Sequence, residues 1–469
     1  MNPPPVLSST SERFARRNAT ALKLLFVAFL VLVLLAPLNM VESTLQERLA
    51  RHDSAVATIT QSWGRNQRLL GPVLVVPYSY KTENDEWTTA PDGRRFREKV
   101  TRTLVAEAFF LPEQLEASGV LEPAERKLGI YSTHVYAATL RLNGRFAAPT
   151  FAFTGVTAPQ PQWNRARVCF AVSDLRGTRE ALVLKWGEAD APLQPGARLD
   201  GFGSGLHAPV TLTADGGPRD FSLELTLNGS GGISFVPLGR QTTVQLESSW
   251  PAPGFFGSFL PVSREVGTNG FKATWKVGYY GRDFPQQWTS IAGLAPAAQA
   301  IEASGFGVNL IELVTAYRTI ERAIKYGVLF LGLAFATFFL FETVSAVRLN
   351  ALNYLLVGAA LCLFYLGLLS LSEFIGFAPA YVAAAGASLV MVGLYSRSVL
   401  RSVTRALLVS GMLGGVYGYL YFVLRMEDFA LLAGTAALFA LLAAVMYATR
   451  RIDGRESLAA ADAIPEVTS

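Results

Sequence analysis

Apolar runs are distributed unevenly along this chain, and their positions constrain its fold more than any other feature. One run covers residues 24–41, and five more cover residues 326–347, 354–371, 377–395, 406–424 and 429–447. Each is close to the ~17–25 residues that a membrane-spanning helix needs. Residues 42–322 contain no run of that length. The sequence therefore predicts an α-helical membrane protein with one N-terminal span, a large water-exposed region and five C-terminal spans.

The composition agrees with this distribution, since 51% of the residues are hydrophobic and only 16% are charged. A cleavable signal peptide is the alternative for the first run, but the run starts late and lacks a clear small-x-small cleavage site, which favours an uncleaved anchor. The predicted divisions are a cytoplasmic tail (1–23), a first transmembrane helix (24–41), an amphipathic stalk helix (42–69), a β-rich domain (70–322), a five-helix transmembrane bundle (323–449) and a second cytoplasmic tail (450–469).

Basic residues indicate the orientation of the spans, because Lys and Arg concentrate in short cytoplasmic segments. With the N-terminus inside, the inside segments contain Arg13, Arg16, Arg17, Lys23, Arg348, Arg397, Arg401, Arg405, Arg450, Arg451 and Arg455. The short outside loops, 372–376 and 425–428, contain one base and three acids. Both termini are therefore predicted to be cytoplasmic, with the large region on the other side of the membrane.

The net charge of +5 does not indicate a nucleic-acid partner. Residues 42–322 contain 28 Lys and Arg against 27 Asp and Glu, so the water-exposed region is almost neutral and has no basic stripe. The electrostatic footprint of nucleic-acid binding is therefore missing from it.

Two periodicities divide the water-exposed region. Apolar residues at 45, 49, 56, 59 and 63 fall on one helical face, which predicts a stalk that packs on the domain, with a partner-binding helix as the alternative. From residue 70 the period becomes two, as in Phe221, Leu223, Leu225 and Leu227. Asn143-Gly144 and Gly216-Gly217-Pro218 supply turn signals. We expect a large antiparallel, sandwich-like domain, with two packed β lobes as the alternative.

The chain has few of the residue patterns that catalysis or metal binding requires. His52, His134 and His207 are far apart in sequence, so no metal site is predicted, and Cys169 and Cys362 lie in different compartments of the predicted topology. The glycine-rich stretch 201–205 lacks the Lys-Ser/Thr of a phosphate loop. We therefore expect no enzymatic activity, no cofactor and no catalytic residues.

Two pairs of charged residues are candidates for a polar site. They are Asp174 with Arg176, at the end of a predicted strand, and Arg264 with Glu265. A carboxylate beside a guanidinium can orient a polar ligand, but such a pair more often holds a turn together. A ligand site and a structural turn both remain open for each pair.

The predicted fifth span contains two overlapping G-x-x-x-G pairs. They are formed by Gly411, Gly414, Gly415 and Gly418, which predicts a surface for close helix packing. Packing inside the bundle is one interpretation, and self-association into a homo-oligomer is the other. Glu342 lies near the predicted cytoplasmic interface, where a charge is tolerated by snorkelling. Few polar groups are visible in the spans, so a transporter is the least favoured class.

Several ordered tracts resemble the CreD family of bacterial inner-membrane proteins, which is named for cell envelope integrity. They lie at 70–73, 76–77, 125–131, 173–174, 176–177, 256–261, 264–266, 325–326, 333–342, 354–358 and 371–373, and include Glu-Arg-Lys-Leu-Gly-Ile-Tyr and Phe-Gly-Ser-Phe-Leu-Pro. The resemblance implies a multi-pass protein of the inner membrane with a periplasmic domain, linked to envelope integrity and to induction by a two-component system. It implies no reaction and no catalytic residues.

The functional hypothesis is a non-enzymatic inner-membrane protein whose periplasmic domain binds or senses an envelope component. Expected partners are the lipid bilayer and a periplasmic protein or glycan. The alternative is a lipid- or glycan-modifying enzyme in which Asp174, Arg176, Arg264 and Glu265 converge in one cleft.

Overall fold

The computed structural model describes residues 19–89, 91, 95–178, 180–214, 216–291, 293, 295–310, 316–345, 350–426 and 430–449. The chain divides into two compact units. One contains Met1–His52 and Val314–Ser469, and the other contains Asp53–Leu313. The second unit, called the β domain below, contains the strands.

Helix α1 covers Ala19–Trp63 and continues from the first apolar run into the predicted stalk. It ends at Trp63 rather than at residue 69, and the first strand begins at Gln67. Gly64 explains the difference, because its φ of +150° is open mainly to glycine and a side chain there would collide with the backbone of Asn228. On the predicted stalk face, Ile59 is buried and Val56 is half-buried.

Two sheets make up the β domain in the part of the chain that the structure describes. The strands are β1 (Gln67–Thr89), β2 (Arg95–Phe110), β3 (Gln114–Leu128), β4 (Tyr131–Phe146), β5 (Gln160–Pro161), β6 (Arg167–Val172), β7 (Val183–Trp186), β8 (Ala189–Pro192), β9 (Gln194–Pro195), β10 (Gly205–Pro209), β11 (Arg219–Ser230), β12 (Gly232–Phe235), β13 (Gln241–Ser248), β14 (Pro253–Gly257), β15 (Ser263–Gly267), β16 (Gly270–Gly278), β17 (Gln287–Thr289) and β18 (Phe306–Leu310). A short helix, α2 (Ala298–Ala303), precedes β18.

The first sheet follows the order β14-β18-β12-β1-β6-β10-β9, with β2 and β5 also paired to β1, and β17 paired to β2. The second follows β15-β16-β13-β3-β4-β11-β7-β8. Two neighbouring pairs, β1 with β12 and β3 with β13, are parallel. The predicted antiparallel arrangement holds for the other described strand pairs and fails for these two, because side-chain alternation reports which face is buried and not which way the neighbouring strand runs.

Both sheets contribute to one hydrophobic core. Trp275 of β16 contacts Phe255 of β14 and Phe306 of β18, with ring centroids 5.7 and 5.8 Å apart. The buried hydroxyl of Tyr136 in β4 donates to the carbonyl of Gly232 in β12 at 2.6 Å. Since the described strands share this core within one compact unit, two separate β lobes are not observed. The sandwich-like arrangement of the sheets remains a prediction.

One predicted turn is wrong. Asn143-Gly144 lies inside β4, where Gly144 pairs with Phe221 of β11. The ring of Phe221 covers this glycine so closely that a Cβ would approach its atoms to 2.7 Å. The glycine is required for packing beneath an aromatic ring and does not form a turn. The other signal, Gly216-Gly217-Pro218, does lie in the loop before β11.

The remaining helices belong to the first unit. They are α3 (Ala316–Lys325), α4 (Gly327–Ser345), α5 (Ala351–Ile375), α6 (Phe377–Leu400), α7 (Val403–Arg425) and α8 (Ala430–Thr449). Among the described residues, four segments are long and apolar enough to cross a membrane: Leu25–Trp63, Leu352–Ile375, Phe377–Leu400 and Val403–Arg425. Helices α4 and α8 coincide with the other two predicted spans, and the total of six remains a prediction.

The helices contain more buried polar groups than the sequence suggested. The hydroxyl of Tyr381 donates to the carbonyl of Tyr417 at 2.7 Å, and the hydroxyls of Tyr417 and Ser388 are 2.7 Å apart. Glu342 accepts a hydrogen bond from Tyr354 at 2.9 Å. These hydroxyls can be buried because they bond to one another or to backbone carbonyls.

The glycines of α7 do not pack as expected inside the bundle. A Cβ built on Gly414 would meet Leu389 of α6 at 3.8 Å, whereas one on Gly411, Gly415 or Gly418 would have no described atom within 4 Å. Those three glycines are exposed in the single chain. Packing inside the bundle is therefore not observed for these three among the described residues, and both packing and self-association remain predictions.

Candidate functional site

Asp174 and Arg176 form a hydrogen-bonded junction where α1 meets the sheets. One carboxylate oxygen of Asp174 accepts from the backbone N–H and from Nε of Arg176, both at 3.0 Å. The other accepts from the backbone N–H of Arg65 at 3.4 Å. Nη1 of Arg176 donates to the carbonyl of Gln61 in the last turn of α1, where helix carbonyls lack intrahelical partners.

The environment of Asp174 indicates a structural role. Burial tends to raise the pKa of its carboxyl, but the hydrogen bonds from Arg176 and Arg65 outweigh burial and lower the pKa below its ordinary value. Nε2 of Gln67 donates to the backbone carbonyl of Asp174 at 2.9 Å and to the backbone carbonyl of Asn228, in β11, at 2.6 Å. Both carboxylate oxygens of Asp174 and the side-chain N–H groups of Gln67 and Arg176 named here bond to protein, so the junction fixes the end of α1 to both sheets.

The second charged pair lies elsewhere. Arg264 and Glu265 are exposed on β15, which is the edge strand of the second sheet. Asp174 lies beside β11, and four strands separate β11 from β15. At about 4.8 Å per strand the two pairs are on the order of 20 Å apart. The structure therefore brings Asp174 and Arg176 together but does not bring all four residues into one cleft.

A different part of the β domain contains a cleft of the size that ligand sites have. Its volume is about 480 Å³, within the usual range for such sites, and its polar walls are Glu107, Arg165, Arg167, Gln194, Arg198 and His207. We call it the Arg167 cleft. Two smaller cavities, of about 150 and 110 Å³, lie around the 201–204 loop.

Strand pairing in the first sheet builds the cleft. Arg167 is the first residue of β6 and pairs with Pro209 of β10, while His207 pairs with Cys169. Glu107 comes from β2, across β1 from β6. Arg198 comes from the loop between β9 and β10 and has a φ of +49°, an unfavourable value for a residue with a side chain. The cleft walls are thus mainly rigid strands.

Arg167 is held by a carboxylate but keeps unused donors. Its Nη2 lies 2.8 and 2.7 Å from the two carboxylate oxygens of Glu107 and 3.4 Å from the carbonyl of Arg198. Its Nε is buried and has no hydrogen-bond partner among the described residues. Burial tends to lower the pKa of Arg167, but the pair with Glu107 outweighs burial and raises it. The guanidinium is therefore always charged.

His207 lines the cleft beside Arg167, and Cys169 pairs with His207 in the neighbouring strand. Nδ1 of His207 is 2.8 Å from the carbonyl of Gly196, and because a carbonyl oxygen can only accept, Nδ1 carries the proton of this hydrogen bond. Cys169 is fully buried, and burial raises the pKa of its thiol to about 11. A thiol that stays protonated at neutral pH is a poor nucleophile. The arrangement favours binding of an anion over covalent chemistry.

Comparison with known proteins decides the family. The sequence model of the family described as "Inner membrane protein CreD" matches residues 19–454. Inner membrane protein CreD of Escherichia coli (strain K12) is 33% identical over 426 residues, which cover 90% of this chain and 91% of that protein. The chain belongs to the CreD family. The resemblance found in the sequence is thereby confirmed, and the chain is placed among inner membrane proteins.

In this CreD-family chain the cleft residues could not be recognised together, because they come from four separate segments. One signal was available. The sequence alternates between Arg165, Arg167 and Cys169 on one side and the apolar residues Ala166, Val168 and Phe170 on the other. This alternation indicates a strand with one apolar face and an opposite face that carries two arginines. Only the strand order shows that Arg198 and His207 lie on the same side.

No group of three or more His, Cys, Asp and Glu side chains suited to a metal ion occurs among the described residues of this family member. The Arg167 cleft contains one carboxylate and one imidazole against three guanidinium groups, a donor set that would repel a cation. Its chemistry therefore fits an anion and not a metal.

Proposed function

We propose that this chain supports cell envelope integrity from the inner membrane and that its β domain, on the periplasmic side, binds an envelope component. Membership in the CreD family supports the membrane role. The predicted topology supports the periplasmic location, because the domain lies between helices whose short flanking segments are basic.

The Arg167 cleft is the observation that carries the binding role. Its volume of about 480 Å³ suits a small ligand or one group of a larger ligand. Its walls combine the guanidinium of Arg167, which Glu107 fixes on β6, with the exposed guanidinium groups of Arg165 and Arg198. A charged group that is already held in place lowers the cost of ordering side chains on binding. We propose a binding role and not catalysis, because the predicted four-residue site does not assemble and the buried thiol of Cys169, in the strand that carries Arg167, is protonated at neutral pH.

In-cell photocrosslinking tests the proposal directly. A photoreactive residue replaces Asn164 or Gln194, which line the cleft, and in control variants it replaces Arg264 or Glu265 on the distant edge strand. We expect the two cleft positions to capture the same envelope component and the two controls not to capture it. Capture of lipid alone, or of the same species at all four positions, would overturn the assignment of binding to this cleft.

A further inference from the structure

We propose that the Arg167 cleft binds a phosphate monoester group, and this inference rests on the proposed binding function of the β domain. The charge of the cleft, its unused hydrogen-bond donors and its size all fit this group. Each of these is a property of described residues.

The charge of the cleft matches a doubly charged anion. Arg165, Arg167 and Arg198 contribute three positive charges and Glu107 one negative charge, which leaves +2 when His207 is neutral. A phosphate monoester carries about −1.5 to −2 at pH 7. A phosphodiester carries a single charge and would leave part of the positive charge uncompensated. The balance therefore favours a monoester.

Unused donors surround the position that such a group would occupy. The side chain of Arg198 makes no hydrogen bond or ion pair to the described residues, and Arg165 uses only Nη1, which donates to Gln162 at 2.8 Å. Arg167 is fixed through Nη2 by Glu107, and its Nε is buried away from the cleft. Phosphate oxygens suit guanidinium forks. A bound phosphate would accept hydrogen bonds from Arg165 and Arg198 and lie beside the positive charge of Arg167.

The size of the cleft indicates that the phosphate is attached to something larger. A volume of about 480 Å³ exceeds what a group of five heavy atoms fills. The rest of the wall includes Asn164 and Gln194, whose amides can bond to hydroxyls, and Pro77 and Pro209, against which a ring can pack. A phosphorylated sugar has this combination of groups. Free inorganic phosphate shares the charged part and is the other source of the same chemistry.

Calorimetric titration of the full-length protein in a neutral sugar detergent and phosphate-free buffer tests the inference. The probes are glucose 1-phosphate, inorganic phosphate and glucose. We expect both phosphates to bind, more weakly as salt is added, and glucose not to bind. Tighter binding of glucose 1-phosphate than of inorganic phosphate identifies a phosphorylated sugar as the source. Equal or tighter binding of inorganic phosphate identifies free phosphate.

Two substitutions locate the binding. Arg198→Ala and Arg167→Gln should each weaken phosphate binding about tenfold or more, which is the effect of losing one charge-assisted hydrogen bond. Arg141→Ala is the matched control. Arg141 is an exposed arginine of the second sheet, whereas the cleft belongs to the first, and it lies 3.2 Å from Glu224 of the neighbouring strand. Arg198 is exposed, so its variant should fold even if the Arg167 variant does not.

The inference is wrong if neither phosphate binds, if glucose binds as tightly as glucose 1-phosphate, or if Arg198→Ala binds like the parent protein. Such a result leaves the proposed function standing when the photoreactive residues at Asn164 and Gln194 still capture an envelope component. The titration and the crosslinking experiment therefore test the two proposals independently.

Discussion

The guanidinium of Arg167 shows how one side chain can be fixed by a carboxylate and still bring a positive charge to the wall of a cleft. Its Nη2 is occupied by both oxygens of Glu107, while its Nε has no partner among the described residues. Asp174 is the opposite case, because both of its carboxylate oxygens already accept hydrogen bonds from protein. Sequence alone ranks Asp174 as the better site candidate, since local spacing cannot show which groups are satisfied after folding.

Replacing Asp174 by Asn should destabilise the β domain. The substitution removes the charge that Arg176 and the Arg65 N–H recognise, and we expect a loss of about 1–3 kcal/mol in the free energy of unfolding. Thermal unfolding followed by tryptophan fluorescence measures the change. Asp220→Asn is the control, since that exposed carboxylate pairs with Arg145 at the surface and should matter little.

The same carboxylate should make stability depend on pH. The pKa of Asp174 in the folded protein is lower than the ordinary value of 3.8. The contribution of the carboxylate to the free energy of unfolding is therefore complete at a pH above 3.8. The contribution is lost as the pH falls through the lowered pKa, where the folded form must also take up the proton. We expect the difference in unfolding temperature between the parent and Asp174→Asn to shrink in acid. A constant difference down to pH 2 would contradict this assignment.

Cys169 should be unreactive in the native protein. It is fully buried, and burial raises the pKa of its thiol to about 11. In a Cys362→Ser background, a maleimide at pH 7 should label Cys169 only after denaturation. Rapid labelling of the folded protein would show that β6, which carries Arg167, opens to solvent, and would count against a rigid scaffold for the cleft.

Element boundaries and faces could largely be predicted, whereas pairing directions could not. The alternation in β11 indicates its buried face because a strand repeats every two residues. The same alternation carries no information on the parallel pairing of β1 with β12, which depends on long connections through the rest of the domain. The Asn-Gly pattern at Gly144 predicts a turn, whereas this glycine accommodates the Phe221 ring from another strand, a contact that local sequence does not show.

The exposed face of α7 should mediate self-association. Gly411 and Gly415 are one turn apart and leave the backbone open to a second helix, as in G-x-x-x-G dimers. We expect Gly415→Leu to lower the dimer fraction measured by cysteine crosslinking in membranes. Gly386→Leu on α6 is the matched control, since a side chain there also meets no described atom within 4 Å. Equal crosslinking in both variants would exclude this face as the contact.

At the scale of the whole molecule, hydropathy predicts more than any motif does. A bilayer requires its spanning segments to be apolar and helical, so one run near residue 24 and several after residue 326 already separate the helices from the β domain. The Arg167 cleft could not be predicted in this way, because a polar site in water leaves no hydropathy signal and its members come from distant segments.

The orientation of the molecule is the last prediction, and it follows from the distribution of basic residues. Lys and Arg flanking the spans remain in the cytoplasm, which places Arg401 inside and the β domain outside. Arg264 and Arg401 are both exposed, so cysteines substituted there should be equally reactive once accessible.

In cells with a permeabilised outer membrane, a membrane-impermeant maleimide should label the Arg264→Cys variant at once. It should label the Arg401→Cys variant only after the inner membrane is opened. The Cys169→Ser and Cys362→Ser substitutions remove the native thiols from both backgrounds. The reverse pattern would place the β domain in the cytoplasm. The proposed binding of a periplasmic component would then be wrong as well.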